Sequence, residues 1–239
     1  MDLGRRWRAD AVSLLLACHP LPAAALTVAM TAGAAATGRG VAGSVLVAAT
    51  VGSGQLTIGW LNDVLDADRD RRAGRRDKPV ATGRIAPRTV AVALVVMALA
   101  CIPLSLANGT AAGAAHLGFV LSAWLYDVRL KSTVLSWLPY LVGFGLLPAF
   151  LSYGGLGPGM HGAPPTVAMT VLAALLGVGI HVLNTLPDHD EDRANGVRHL
   201  PLLVAARVGE RRLRLASTTY TGVVGAALVA AALTVGLRQ

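Results

Sequence analysis

The chain has 239 residues, of which 54% are hydrophobic and only 14% charged, whereas a soluble domain carries about 25% charge. That balance, with its positive mean hydropathy, excludes an ordinary soluble domain and points to a polytopic membrane protein. The net charge of +8 would suggest nucleic acid in a soluble protein, but no basic helix or interleaved aromatic stripe accompanies it, so no nucleic-acid partner is expected.

Seven apolar stretches approach the ~20 residues that a ~30 Å hydrocarbon core requires. In chain order they are Ala11–Ala36, Val41–Leu61, Thr89–Ala107, Thr110–Trp124, Val134–Tyr153, Val167–Leu186 and Leu215–Gly236. The fourth is short. Leu200–Gly209 is apolar but too brief to span, and reads as an interfacial helix. The basic start followed by Ala11–Cys18 has the look of a signal peptide, yet the apolar run continues to Ala36 and is therefore read as a span. Cys18 and Cys101 both lie in apolar stretches without metal-ligand spacing. Pro103, Pro139, Pro148 and Pro187 are expected to kink or break helices.

Charge placement predicts orientation. With the N-terminus inside and spans alternating, 19 of the 21 Lys and Arg and all 13 acidic residues fall on the cytoplasmic side, leaving only Arg39 and Arg238 outside. The expectation is a multi-pass protein of the inner (plasma) membrane with residues 1–239 forming a single polytopic domain.

Two cytoplasmic segments match each other. Residues 62–79 and 184–201 both read N-x3-D-x-D-x-D-R-x2-G-x-R-x2-P, offset by 122 positions without a gap. Each follows a predicted span, and four spans separate them, so both face one compartment. This is a parallel internal pseudo-repeat, with a site expected between the halves.

On a helix extended past the bilayer, Asn62, Asp66 and Asp70 share a face, as do Asp188 and Asp192. Crowded carboxylates repel, and a helix C-terminus is the unfavourable end of the dipole for them. A cation must compensate. Mg²⁺ suits, because one or two carboxylates hold it while water and phosphate oxygens fill its other positions. Arg75, Arg76, Lys78 and Arg198 are placed to contact the remaining oxygens of a diphosphate. Asp68 and Asp190 lie roughly 200° from their flanking aspartates and are expected to face solvent. His189 and His199 are able to accept an acceptor's proton, but a loop histidine is more often incidental, and neither is assigned a role.

At these residues the chain resembles the UbiA superfamily of intramembrane prenyltransferases. The family's first motif, N-D-x-x-D-x-x-x-D, is matched by Asn62, Asp63, Asp66 and Asp70, and its downstream R-x-x-K/R-P by Arg75, Lys78 and Pro79. The second, D-x-x-x-D, is matched by Asp188 and Asp192. A tyrosine–lysine motif resembles Tyr126 and Lys131, with a spacing one residue longer than the usual Y-x-x-x-K.

The resemblance implies an all-α transmembrane bundle around a cavity, with Mg²⁺ held by Asn62, Asp63, Asp66, Asp70, Asp188 and Asp192. It implies that an isoprenyl group passes from a prenyl diphosphate to a lipophilic, often aromatic, acceptor. Asp66, Asp70, Asp188 and Asp192 would be catalytic, and Asn62, Arg75, Arg76, Lys78, Tyr126, Lys131 and Arg198 would bind the diphosphate. The family usually has nine spans against seven here, and a homo-oligomer is one arrangement that would replace the missing pair. Its usual first-helix Arg-Pro is His19-Pro20. A cyclase acting on the same substrate and a non-catalytic truncated relative are the alternative readings. Transport is disfavoured because the span cores hold no ionisable residue beyond His19, His116 and His181. Trp60, Trp124, Tyr126, Trp137, Tyr140 and Phe144 fall near cytoplasmic span ends; their faces would suit an allylic cation in the cavity, but most are expected to form an interfacial belt.

Overall fold

The long apolar runs fold as helices because a backbone in lipid must satisfy its own hydrogen bonds. The computed structural model describes residues 3–155 and 162–237, and among them there are ten α-helices and no β-strand. Arg238 and residues 156–161 of the predicted outer loop lie outside the described residues, as do Met1 and Asp2 and the side chains of Arg5 and Arg6. The chain divides into two compact units, residues 1–108 and 109–239. Each carries one copy of the repeat.

In the first unit, α1 (Leu3–Ala17) and α2 (Pro20–Ala36) replace the single span expected over Ala11–Ala36. The two are bent by 71°. Pro20 opens α2, where its missing N–H costs nothing, and His19 before it takes φ 55°, the left-handed region. That conformation is uncommon for a residue with a side chain. Three contacts hold the break against α3 (Gly40–Arg72). The Trp60 indole donates to the Leu14 carbonyl at 2.8 Å. His19 Nε2 lies 3.1 Å from Asn62 Oδ1. Gly59 lies so close that a Cβ there would meet the Cys18 backbone at 2.4–2.5 Å.

Helix α3 has 33 residues, about 50 Å of helix, so it outruns a ~30 Å core and carries the first motif on its last three turns. Helices α2 and α4 (Pro87–Leu106) pack along it. At the far end Arg39 Nη1 donates to Asn108 Oδ1, and Asn108 Nδ2 donates to Thr50 and to the Leu104 carbonyl, each within 3.0 Å. Arg39 is thus tied into the fold at the start of α3.

In the second unit, α6 (Leu138–Tyr153) packs between α5 (Thr110–Leu125) and α7 (Val167–Thr185), and α7 also receives α10 (Glu210–Thr234). Gly177 permits the α6 contact, since a Cβ there would lie 2.4 Å from the Tyr140 carbonyl. After α7 come a 3-10 turn (Leu186–Asp188), the short α8 (His189–Ala194) and α9 (Leu200–Val208). The short helix expected over Leu200–Gly209 is present as α9, nine residues long.

Proline behaves less uniformly than the sequence suggests. Pro187 sits in the 3-10 turn, ending α7 ahead of the second motif. Pro139 merely opens α6, and α4 and α6 run through Pro103 and Pro148 without ending, which membrane helices tolerate when neighbours satisfy the freed carbonyls.

Four helices among the described residues are long and apolar enough to cross a bilayer, or five if the bent α1–α2 pair counts as one. Helices α5 and α6 have 16 residues each, short of the ~20 needed alone, and a π-helical turn (Tyr126–Leu130) lengthens α5. Leu21, Val41, Val92, Val95, Val96, Leu99 and Leu233 point outward uncovered. Apolar surface of that extent fits lipid rather than water. The chain is a multi-pass membrane protein.

Candidate functional site

The first motif occupies the end of α3. Asn62, Asp66 and Asp70 lie on successive turns of one face, and Asn62 Nδ2 donates to Asp66 Oδ2 at 3.0 Å. Asp66 and Asp70 are buried. Asp63 is 1% exposed, accepts from the Val80 amide at 3.3 Å, and so fastens the segment after α3 back onto the helix. That segment brings Lys78 inward. Its Nζ stands 3.7 Å from Asp63 Oδ1 and 3.9 Å from Asp70 Oδ2, and it donates to Asn62 Oδ1 at 3.3 Å. His19 Nε2 lies 2.9 Å from the same ammonium. One buried cation therefore serves two buried carboxylates.

The outer charges pair locally. Arg71 bonds Asp68 at 2.6 Å, and in the second copy Arg193 bonds Asp190 at 2.7 Å, both pairs exposed. The two middle aspartates thus face solvent, as the helical period requires. Arg75 forks onto Asp77 with two bonds of 3.1 Å. That fork holds the Asp77 carboxyl below its usual range. Arg76 is exposed, and its carbonyl accepts from Arg84 at 2.7 Å.

In the second copy Asp188 ends the 3-10 turn, half-buried, and Asp192 is buried on α8. His199 Nε2 lies 2.9 Å from Asp192 Oδ2. His189 and His199 are each 1% exposed, with ring centroids 5.4 Å apart. Neither is an incidental loop histidine: both are buried, where α8 packs against the 3-10 turn and α9 against the end of α7. The Arg198 side chain is exposed, while its amide donates to the Ser132 carbonyl at 3.4 Å.

That bond brings the Tyr126–Lys131 stretch beside the second motif, and the Tyr126 phenol is within electrostatic reach of Asp127, Asp188 and Asp192. The stretch is a π-helical turn. The Lys131 amide reaches back five residues to the Tyr126 carbonyl at 2.9 Å. A π turn absorbs one residue more than an α turn, so Lys131 follows Tyr126 by about one turn although the spacing is one residue longer.

Three of the aromatic residues singled out in the sequence, Tyr126, Tyr140 and Phe144, pack on one another. Tyr126 meets Tyr140 edge-on at 5.1 Å, Tyr140 stacks on Phe144 at 6.2 Å, and Phe144 meets Phe119 at 6.4 Å. His181 completes the cluster, 4.9 Å from Tyr140 and hydrogen-bonded to Ser136 at 3.0 Å.

Comparison with known proteins follows the same line. The model of the UbiA prenyltransferase family matches residues 22–238. The chain belongs to this family. Among curated relatives it is 32% identical over 170 residues to digeranylgeranylglyceryl phosphate synthase of Methanopyrus kandleri, a match covering 70% of this chain and 58% of that protein. It is 29% identical over 152 residues to the synthase of the same name from Methanothrix thermoacetophila, covering 62% of this chain and 53% of that one. The chain thus matches a little over half the length of these relatives. Among solved structures, a UbiA homolog from Archaeoglobus fulgidus bound to GPP and Mg²⁺ superposes with a TM-score of 0.71 at 16% identity, covering 92% of this chain and 78% of that one. The same homolog bound to DMAPP and Mg²⁺ gives 0.69 at 17% identity, covering 90% and 76%. These two matches establish a shared UbiA fold.

Whether the residues suit a divalent cation can be judged from their donor chemistry. No three His, Cys, Asp or Glu side chains among the described residues are grouped to hold a metal by themselves. Magnesium does not need such a cage, since it retains waters and takes phosphate oxygens. Asp70 Oδ2 is buried without a hydrogen bond, one turn from Asp66, and both are hard oxygen donors. The residues fit a magnesium ion that arrives with its phosphate.

Proposed function

We propose that this UbiA family member transfers an isoprenyl group from a prenyl diphosphate to a lipophilic acceptor in a magnesium-dependent reaction. The observation that carries the proposal is the Asn62–Asp66–Asp70 face of α3, its two aspartates buried, with Lys78 folded onto it. It is supported by the family match and by a second copy of the motif.

Asp66, Asp70, Asp188 and Asp192 would hold magnesium, with Asn62 orienting Asp66 and Asp63 securing the Lys78 segment. When bound, the metal supplies charge neutralisation on the departing diphosphate. Lys78, Arg75, Arg76, Lys131 and Arg198, with the Tyr126 phenol, would donate to its oxygens, stabilising charge as the C–O bond loosens. The allylic cation would lie against the Tyr126–Tyr140–Phe144 faces. In this reading both motifs and the N-terminus face the cytoplasm and the whole chain works as one membrane domain.

A cyclase would use the same aspartates, so product analysis separates the two. Geranyl, farnesyl and geranylgeranyl diphosphate are each incubated with magnesium, with and without an acceptor. The panel includes aromatic acceptors and a prenylated glyceryl phosphate, since the relatives above are named for such a product. Prenylated acceptor is expected. Diphosphate release with only hydrocarbon or cyclic alcohol products, unaffected by acceptor, would overturn transfer in favour of cyclisation.

A further inference from the structure

The two copies of the repeat agree at their aspartates but not in what holds the last one. In the first copy the groups around Asp70 divide two tasks. Lys78 is the buried cation nearest its Oδ2, and Asp63 satisfies the Val80 amide. In the second copy the positions 122 residues on from Lys78, Asp63 and Val80 are Leu200, Thr185 and Leu202. Leucine carries no charge. His199 performs both tasks there. Its Nδ1 accepts from the Leu202 amide at 3.1 Å, capping α9, and its Nε2 lies 2.9 Å from Asp192 Oδ2.

Those two contacts assign the tautomer. A ring nitrogen that accepts an amide proton carries none of its own, so the neutral ring bears its proton on Nε2 and donates it to Asp192. The ring cannot swing away. It is 1% exposed and packed against the His189 ring at 5.4 Å, and turning it would also uncap α9. The Asp192 carboxylate is therefore held by a donor fixed at both ends. An outer histidine or carboxylate that orients a ligating group in this way typically changes metal affinity 10- to 100-fold when lost.

We infer that His199 is a positioning residue that fixes the Asp192 carboxylate for magnesium-diphosphate binding, taking in the second copy of the repeat the place that Lys78 holds in the first. The inference rests on the proposed role of Asp192.

The two nitrogens can be tested separately. In His199→Asn the amide oxygen takes the place of Nδ1 and keeps a favoured helix cap, while nothing replaces Nε2. In His199→Gln the amide nitrogen reaches the Nε2 position and restores the donor. Mg²⁺ affinity is measured by titration calorimetry with the non-ionising analogue geranyl thiodiphosphate, on the full chain in detergent, with thermal unfolding of each variant alongside. The expected result is that His199→Asn weakens Mg²⁺ binding roughly tenfold or more with little change in unfolding temperature, and that His199→Gln returns to within about threefold of wild type. Wild-type affinity in His199→Asn, or a glutamine variant no better than the asparagine one, would overturn the role of His199. If Asp192→Asn also binds Mg²⁺ like wild type, the reading of Asp192 fails with it; if Asp192→Asn is weakened and His199→Asn is not, only the histidine's role fails.

Discussion

Lys78 is buried with Asp63 and Asp70 both within 4 Å of its Nζ, and its charge offsets hydration that each carboxylate has lost. Removing one member of such a buried set costs about 3–5 kcal/mol, because the partners stay behind as unpaired charge. Lys78→Met is therefore expected to lower unfolding stability in detergent by about 3 kcal/mol, and adding Asp63→Asn should recover part of that loss. Additive losses in the double variant would mean that the lysine and Asp63 do not interact. The spacing of the aspartates already shows which of them face outward, since Asp68 and Asp190 fall opposite their neighbours on any helix. The partners were not legible. Asp192 and His199 are seven residues apart with a helix end, a turn and a cap between them, and no period relates the two. His19 meets Asn62 across 43 positions for the same reason.

At the scale of the element, continuous apolarity makes helices visible in the sequence. The stretches Thr89–Ala107, Thr110–Trp124 and Val167–Leu186 lie within two residues of α4, α5 and α7 at either end. Hydropathy does not register local backbone geometry, so the left-handed break at His19 and the π turn at Tyr126–Leu130 were hidden within apolar or mixed runs. Helix α3 also continues to Arg72 because its polar end folds against the Lys78 segment rather than against lipid. Close helix contacts leave a clearer mark, in glycine. Gly59→Ala would drive a Cβ into the Cys18 backbone and Gly177→Ala one into the Tyr140 carbonyl. Each is expected to destabilise by about 3 kcal/mol, at the upper end of overpacking costs because backbone cannot swing aside as a side chain does. Gly52→Ala is the control, since its nearest neighbour would be 4.0 Å away, and it should be neutral or slightly stabilising through helix propensity. Equal thermal stability of all three variants would contradict the packing described for α3 and α7.

On the scale of the whole molecule, the repeat and the division into units agree. The boundary after Asn108 leaves residues 62–79 in one unit and 184–201 in the other, as a duplicated building block would. Outward-facing valines and leucines on α2, α4 and α10 place the chain in a bilayer, and the family match places it among UbiA prenyltransferases. The central claim is that both motifs serve one magnesium-dependent reaction on a prenyl diphosphate. The measurement that tests it most directly is Mg²⁺-dependent consumption of geranylgeranyl diphosphate by purified wild type, Asp66→Ala and Asp188→Ala. The account predicts turnover by wild type that chelation abolishes, and a loss of at least about a hundredfold in each variant, the scale on which removing one electrostatic stabiliser acts. Turnover that survives chelation, or that survives either substitution, would contradict it.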